Sequence, residues 1–176
     1  MIEVREISAA RKADINIPNE PFALFGRMEP SYIAGQWGYR EVLLDEKDVS
    51  EMCFPDENYD YDVMKDNHVF LGAYEGDQCI GLAIFRDDWC KYMYLYDFKV
   101  CGAYRGQGAA YALIEKAKEM AKARGYNGIY TQGQDNNLRA CRFYLKAGFH
   151  IGGLDTNVYK GTSQEGKSDI LFYLDF

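Results

Sequence analysis

The stretch Tyr104-Arg105-Gly106-Gln107-Gly108-Ala109-Ala110 carries residue types that can hold a phosphate. It lies between an apolar, aromatic-rich run, Tyr92 to Val100, and a helix-patterned segment, Ala109 to Arg124. A glycine-rich turn that leaves a strand and opens a helix presents unpaired backbone N–H groups and the positive end of a helix dipole, which together suit an anion. Two familiar owners of such a turn do not fit. A dinucleotide-binding fold needs Gly-x-Gly-x-x-Gly after an early strand, whereas Tyr111 stands at the third glycine position here and the turn comes late in the chain. A nucleotide P-loop ends in Gly-Lys-Ser/Thr, and Gly108 is followed by Ala109-Ala110. The plainer alternative is that Gly106 and Gly108 only shape a tight strand-to-helix turn.

Other chemistry is thinly supplied. The five cysteines form no Cys-x-x-Cys and are odd in number, so they read as reduced thiols rather than a disulfide framework or a zinc site. His68 and His150 have no partner at metal-ligand spacing, and no Gly-x-Ser-x-Gly occurs. No metal is expected. From Glu41 to Asp66 the chain is strongly acidic, with Tyr59 and Tyr61 among the later carboxylates. Such a run reads either as a solvated face or as a mouth that attracts cations.

The elements that must position these residues follow from pattern. At 176 residues and a net charge of −7, the chain reads as one mixed α/β domain (1–176) with no nucleic-acid partner, because phosphate neutralisation needs clustered Lys and Arg. No apolar run approaches the roughly 20 residues that span a membrane, and the first residues alternate like a strand rather than a signal peptide. The expected location is cytoplasmic. Residues 8–39, broken by Pro18, Pro21, Gly26, Pro30, Gly35 and Gly38, predict loops around one or two short helices, with a strand from Trp37 to Leu44. His68 to Tyr74, Gln78 to Phe85 and Tyr92 to Val100 predict a three-strand meander. Leu113, Ile114, Ala117, Met120 and Ala121 predict a helix stopped by Gly125. A short strand at Gly128 to Gln132, a helix at Leu138 to Ala147 and strands at Phe149 to Ile151 and Asp169 to Phe176 complete the order.

The cradle is followed by Asn137-x-x-Ala140-x-x-Phe143-Tyr144-x-x-x-Gly148-Phe149. Arg105-x-x-Gly108-x-Ala110 and this second motif, in this order, resemble the coenzyme A site of the GCN5-related N-acetyltransferase (GNAT) superfamily, with the core over about residues 68–150. Met52 to Glu57, Tyr130 to Asn137, Ile151 to Tyr159 and Phe172 to Phe176 resemble, more narrowly, the streptothricin N-acetyltransferases.

The resemblance implies a mostly antiparallel sheet flanked by helices, with a splayed strand pair holding acetyl-coenzyme A as cosubstrate. It implies pantetheine contacts from the backbone of Phe98 and Val100, with the Val100 N–H on the thioester carbonyl. Pyrophosphate contacts are implied from Arg105, Gly106, Gln107, Gly108, Ala109 and Ala110, and a further cofactor contact from Asn137. Tyr144 is the implied general acid. Asp97 stands on the strand where many members carry a glutamate base, and is read either as base or as anchor for a cationic amine. The implied acceptor is a small cationic amine, the β-lysine side chain of streptothricin, with Asp56, Glu57, Tyr59, Asp60, Trp89 and Asp97 as substrate-binding candidates. Acetylation of another cationic amine and a non-catalytic acyl-coenzyme A module are the competing readings. Homodimers are common in the superfamily, and no segment marks an interface.

Overall fold

The computed structural model describes residues 1–176. Along the chain come β1 (Ile2–Glu6), a 3-10 helix (Ala9–Asn16), β2 (Phe22–Leu24), β3 (Gly26–Ile33), β4 (Gln36–Leu43), β5 (Ser50–Met52), α1 (Tyr61–Met64), β6 (His68–Glu75), β7 (Gln78–Arg86), β8 (Tyr92–Val100), α2 (Ala109–Ala123), β9 (Gly128–Gln134), α3 (Leu138–Lys146), β10 (His150–Asp155) and β11 (Asp169–Asp175). The fold is mixed α/β with mostly antiparallel strands flanked by helices, as expected. The chain forms two compact units: residues 1–20, 54–129 and Phe176 in the first, residues 21–53 and 130–175 in the second.

In the first unit β1, β6, β7 and β8 pair antiparallel in that order. The β6–β7 hairpin turns at Gly76, whose φ of +58° is cheap only for glycine. α2 covers one face with Leu113, Ile114, Ala117 and Ala121 buried. Gly81 lets that helix sit close, because a Cβ there would lie 3.3 Å from both Leu113 and Val100. The other face carries Leu82, Ile84 and Phe70, and these pack with Ile7, Ile15 and Ile17 from β1's end and the 3-10 helix. Strand alternation therefore separates two apolar layers.

A bulge interrupts β8. Ile84 pairs with Asp97, but Phe85 pairs with Leu95, so Tyr96 is the extra residue. Before it, the odd positions Met93 and Leu95 are buried, and Leu95 shares Phe85's side of the sheet. After it, Phe98 and Val100 take that side, while Asp97 and Lys99 fall on the side of Ile84 and Leu82.

In the second unit β3 and β4 form a hairpin, β2 pairs with β5, and β11 lies between β9 and β10. The expectation of loops and short helices over residues 8–39 fails in its second half, where β2, β3 and most of the β3–β4 hairpin stand. Pro30 is tolerated because this is a two-stranded ribbon with open edges, and Ala34-Gly35, with φ of +50° and +81°, make the tight hairpin turn. α3 buries Leu138, Cys141 and Tyr144. A Cβ on Gly26 would meet Val42 O at 2.6 Å and Leu138 at 3.1 Å, so β3 approaches α3 only as glycine.

Ile84 is fully buried in the cluster it forms with Phe70, Leu82, Ile7, Ile15 and Ile17. Ile84→Ala is expected to cost about 2–5 kcal/mol; urea denaturation with a midpoint equal to wild type would contradict this packing.

Candidate active site

The turn after β8 takes the shape expected of an anion cradle. Gly106 and Gly108 have φ of +78° and +94°, and a Cβ built on either would have nothing within 4 Å. Both positions thus demand glycine and border open space. Gly108 is the N-cap of the fifteen-residue α2, so the first-turn N–H groups of Ala109 and Ala110 have no acceptor within the helix. Arg105 ties the turn to the strand: its Nε donates to Val100 O at 3.1 Å. Its Nη2 stands 3.4 Å from Glu20 Oε2, and the same oxygen accepts the Gly102 N–H at 2.7 Å. Gln107 does not face outward freely, since its Nε2 donates to Ala103 O at 2.8 Å.

β8 prepares the backbone contacts. Cys101 donates its N–H to Ile80 O at 2.9 Å. Peptide groups alternate in direction along an antiparallel ladder, so Val100 and Phe98 turn theirs away from β7. The Val100 carbonyl that meets Arg105 is one of them. These groups and the cradle fit a cofactor that offers amides and then a pyrophosphate.

On the side of β8 bearing Asp97 and Lys99, the first unit gathers an ionic cluster. Lys99 Nζ lies 2.9 Å from Glu57 Oε2 and 3.0 Å from Asp97 Oδ2. The side chains of Lys99 and Asp97 are only 11% and 15% exposed, and Glu57 is 32% exposed. Burial pushes the Asp97 carboxyl above the ordinary aspartate range, Glu57 adds to this, and Lys99 opposes it. Burial works against the Lys99 ammonium, but Asp97 and Glu57 outweigh it and raise its pKa. Burial and the same two carboxylates hold the Tyr59 phenol far above its usual value, so it stays a neutral donor. Tyr59 packs on Tyr96 with ring centroids 6.0 Å apart.

The remaining acidic candidates have structural duties. Asp56 accepts the Asn19 N–H at 2.7 Å, and Asn19 Nδ2 reaches Pro55 O and Glu57 Oε1 at 2.8 and 3.0 Å, fixing the loop that delivers Glu57. Asp60 caps α1 by accepting Asp62 N at 2.9 Å, and Asp62 pairs with Lys12. Trp89 is 95% exposed in the β7–β8 connection. Glu57, Tyr59 and Asp97 are therefore brought together; Asp56 joins them through Asn19, and Asp60 and Trp89 serve the helix cap and the surface.

In the second unit Asn137 caps α3, its Oδ1 accepting the Ala140 N–H at 3.2 Å. Tyr144, one turn beyond Cys141, is 7% exposed. Its ring is fixed by Phe149 and Phe172, with centroids at 5.4 and 5.2 Å. A phenol held in an aromatic frame has a defined direction for its hydroxyl.

A family model described as the acetyltransferase (GNAT) family matches residues 37–149. Streptothricin acetyltransferase A of Bacillus subtilis (strain 168) is 35% identical over 163 residues, covering 93% of this chain and 94% of that protein. The chain belongs to the GNAT acetyltransferase family. A crystal structure of a Bacillus anthracis str. Ames protein, provisionally designated a streptothricin acetyltransferase and bound to acetyl coenzyme A, superposes with a TM-score of 0.87 at 30% identity, covering 100% of this chain and 99% of that one. Nourseothricin acetyltransferase, at 23% identity, shares the fold with a TM-score of 0.80 over 99% of this chain and 98% of its own.

This acetyltransferase is an N-acetyltransferase that uses acetyl-coenzyme A. Sequence reasoning missed two of the residues that shape its first unit. Glu20 carries no local signal, because its partners lie about eighty positions away. Lys99 had one: in Tyr92 to Val100 the apolar positions switch from odd to even after Leu95, which marks a bulge and places Lys99 beside Asp97.

Gly108→Ala forces a left-handed conformation that costs an ordinary residue about 1–2 kcal/mol. Calorimetric titration with acetyl-coenzyme A is expected to show roughly tenfold weaker binding, and an unchanged affinity would detach the turn from the cofactor.

Proposed function

We propose that this acetyltransferase transfers the acetyl group to an amine of streptothricin, on its β-lysine side chain, and so confers resistance. The observation that carries the reading is the 35% identity to Bacillus subtilis streptothricin acetyltransferase A, spread over nearly the whole length of both chains. The cluster of Asp97, Glu57 and Tyr59 supports it, since two carboxylates and an aromatic face suit a cationic acceptor.

When bound, acetyl-coenzyme A supplies the acetyl group as a thioester. The turn from Arg105 to Ala110 and the N-terminus of α2 hold its pyrophosphate through backbone N–H groups, and Asn137 gives a further contact. The Phe98 peptide group, directed away from β7, and the Val100 carbonyl, which also accepts from Arg105 Nε, pair with its amides. The Val100 N–H donates to the carbonyl oxygen on which negative charge develops. A lysine-like amine has a pKa near 10.4 and arrives protonated. Asp97 receives that ammonium in a site nearly closed to water, where a fixed carboxylate attracts it strongly. Its raised pKa also brings it closer to a base working at neutral pH.

Tyr144 holds a proton for the departing thiolate. A phenol near pKa 10 is a weaker acid than a thiol, so its donation has to be coupled to departure at short range. The aromatic frame of Phe149 and Phe172 serves that coupling by fixing the ring.

Two outcomes test the reading. Tyr144→Phe keeps the ring and its packing and is expected to lower kcat by about 10²-fold or more with the KM for acetyl-coenzyme A little changed; an unaltered kcat removes Tyr144 from the acid role. In a thiol-release assay with streptothricin, spermidine, an aminoglycoside and a lysine peptide, streptothricin is expected to turn over selectively. Preference for spermidine or the peptide would reassign the acceptor, and no turnover of any amine would overturn the reading.

A further inference from the structure

Lys99 is the one buried cation beside the proposed acceptor carboxylates to which the chemistry above gives no task. Its Nζ lies within 3.0 Å of both Glu57 and Asp97, and it sits 6.0 Å from the centre of the Tyr59 ring. Asp97 Oδ2 is wholly enclosed, and the Lys99 ammonium is its charge partner. Glu57 is steadied from the other side by Asn19 Nδ2 at 3.0 Å. Charged side chains are rarely this buried unless paired, so the placement needs an account.

We propose that Lys99 is a positioning residue of acetyl transfer: its ammonium bridges Glu57 and Asp97, sets their separation, and keeps Asp97 anionic to receive the acceptor amine. The inference rests on the reading of Asp97 given above. Charge counting shows what the bridge does. Two carboxylates gathered around one ammonium leave the triad with a single net negative charge, which matches one incoming ammonium. Without Lys99, two buried carboxylates would face each other, and one would take up a proton rather than bear that repulsion. The more enclosed of the two is Asp97. A protonated Asp97 can neither attract an ammonium nor accept its proton.

The other groups facing the triad do not replace Lys99. Tyr59, from the loop before α1, remains a neutral phenol. Tyr96, on β8, packs on Tyr59 and lies under the Arg86 guanidinium at 5.7 Å, while His68 meets the Tyr96 ring rather than the carboxylates. Geometry also favours a side chain from β8 itself: Asp97 and Lys99 are two apart on one strand, so the pleat holds their relative position.

The test compares the pH dependence of kcat/KM for streptothricin, at saturating acetyl-coenzyme A, among the full-length wild type, Lys99→Met, Lys99→Arg, Glu57→Gln and Asp97→Asn. Taking each variant as a ratio to wild type cancels the titration of the substrate. Loss of an opposite charge at this range moves a carboxyl upward by about 1–3 units, so the acid limb of Lys99→Met is expected to rise by that much, with Lys99→Arg restoring it. Glu57→Gln removes the like charge and is expected to move the limb downward. If Asp97→Asn is impaired while the Lys99→Met profile superimposes on wild type, the Lys99 inference is overturned and the Asp97 reading stands. If Asp97→Asn retains wild-type kcat/KM, the Asp97 reading falls and the inference with it. Should circular dichroism show Lys99→Met unfolded, Glu57→Gln decides, and an unmoved limb there overturns the inference.

Discussion

The first unit depends on how β8 is registered against β7. The bulge at Tyr96 lets one short strand change which of its residues enter the apolar layer. Ahead of the bulge, Met93 and Leu95 are buried at odd positions. Had the alternation continued unbroken, Asp97 and Lys99 would point into that same layer under α2, and their charges would meet Leu113 and its neighbours. Burying an unsolvated charge costs far more than a bulge does. The extra residue therefore turns the carboxylate and the ammonium toward the side where Glu57 and Tyr59 arrive, and returns Phe98 and Val100 to the layer beneath α2. A register slip of one residue would reverse both assignments at once.

That arrangement explains which parts of the fold were legible in the sequence. The meander of β6, β7 and β8 and the helix α2 follow from local periodicity, and each appears within a residue or two of its expected bounds. Asn137 and Gly148 bracket α3 for local reasons as well, a side-chain cap and a left-handed stop. The second half of residues 8–39 was not legible, because Pro and Gly speak against strands in general but not against an open-edged hairpin, where Pro30 gives up no needed bond. In the acidic run, the carboxylates that serve helix caps and loop bonds, Asp60 and Asp56, look the same in sequence as Glu57, which enters the ionic cluster. The difference is made by Lys99, forty-two positions away in the chain.

The candidate site was legible to different depths for the same reason. The glycine cradle is a local object: positive φ at Gly106 and Gly108 and the start of α2 follow from seven consecutive residues. The ionic cluster proposed to receive the acceptor is a long-range object. Glu57 lies forty-two positions from Lys99, and the register of β8 on β7 decides which side of the sheet Lys99 takes. The sequence nevertheless held a readable trace of it, in the change of apolar phase between Leu95 and Phe98.

Arg105 shows how far a motif residue's duty can be reassigned by its surroundings. As a lone cation in a phosphate turn it invites the reading of a direct charge contact. In the fold its Nε is occupied by the Val100 carbonyl and its Nη2 stands beside Glu20, and Glu20 also accepts the Gly102 N–H. Arg105 and Glu20 together thus clamp the start of the turn to the end of β8, while part of the arginine's charge is neutralised within the protein. In the proposed cofactor site, attraction for a pyrophosphate then falls mainly on the backbone N–H groups at the start of α2 and on the dipole of that fifteen-residue helix. Backbone donors cannot be altered by side-chain substitution, which is why the glycines that aim them, and not the arginine, carry the stricter demand at this position.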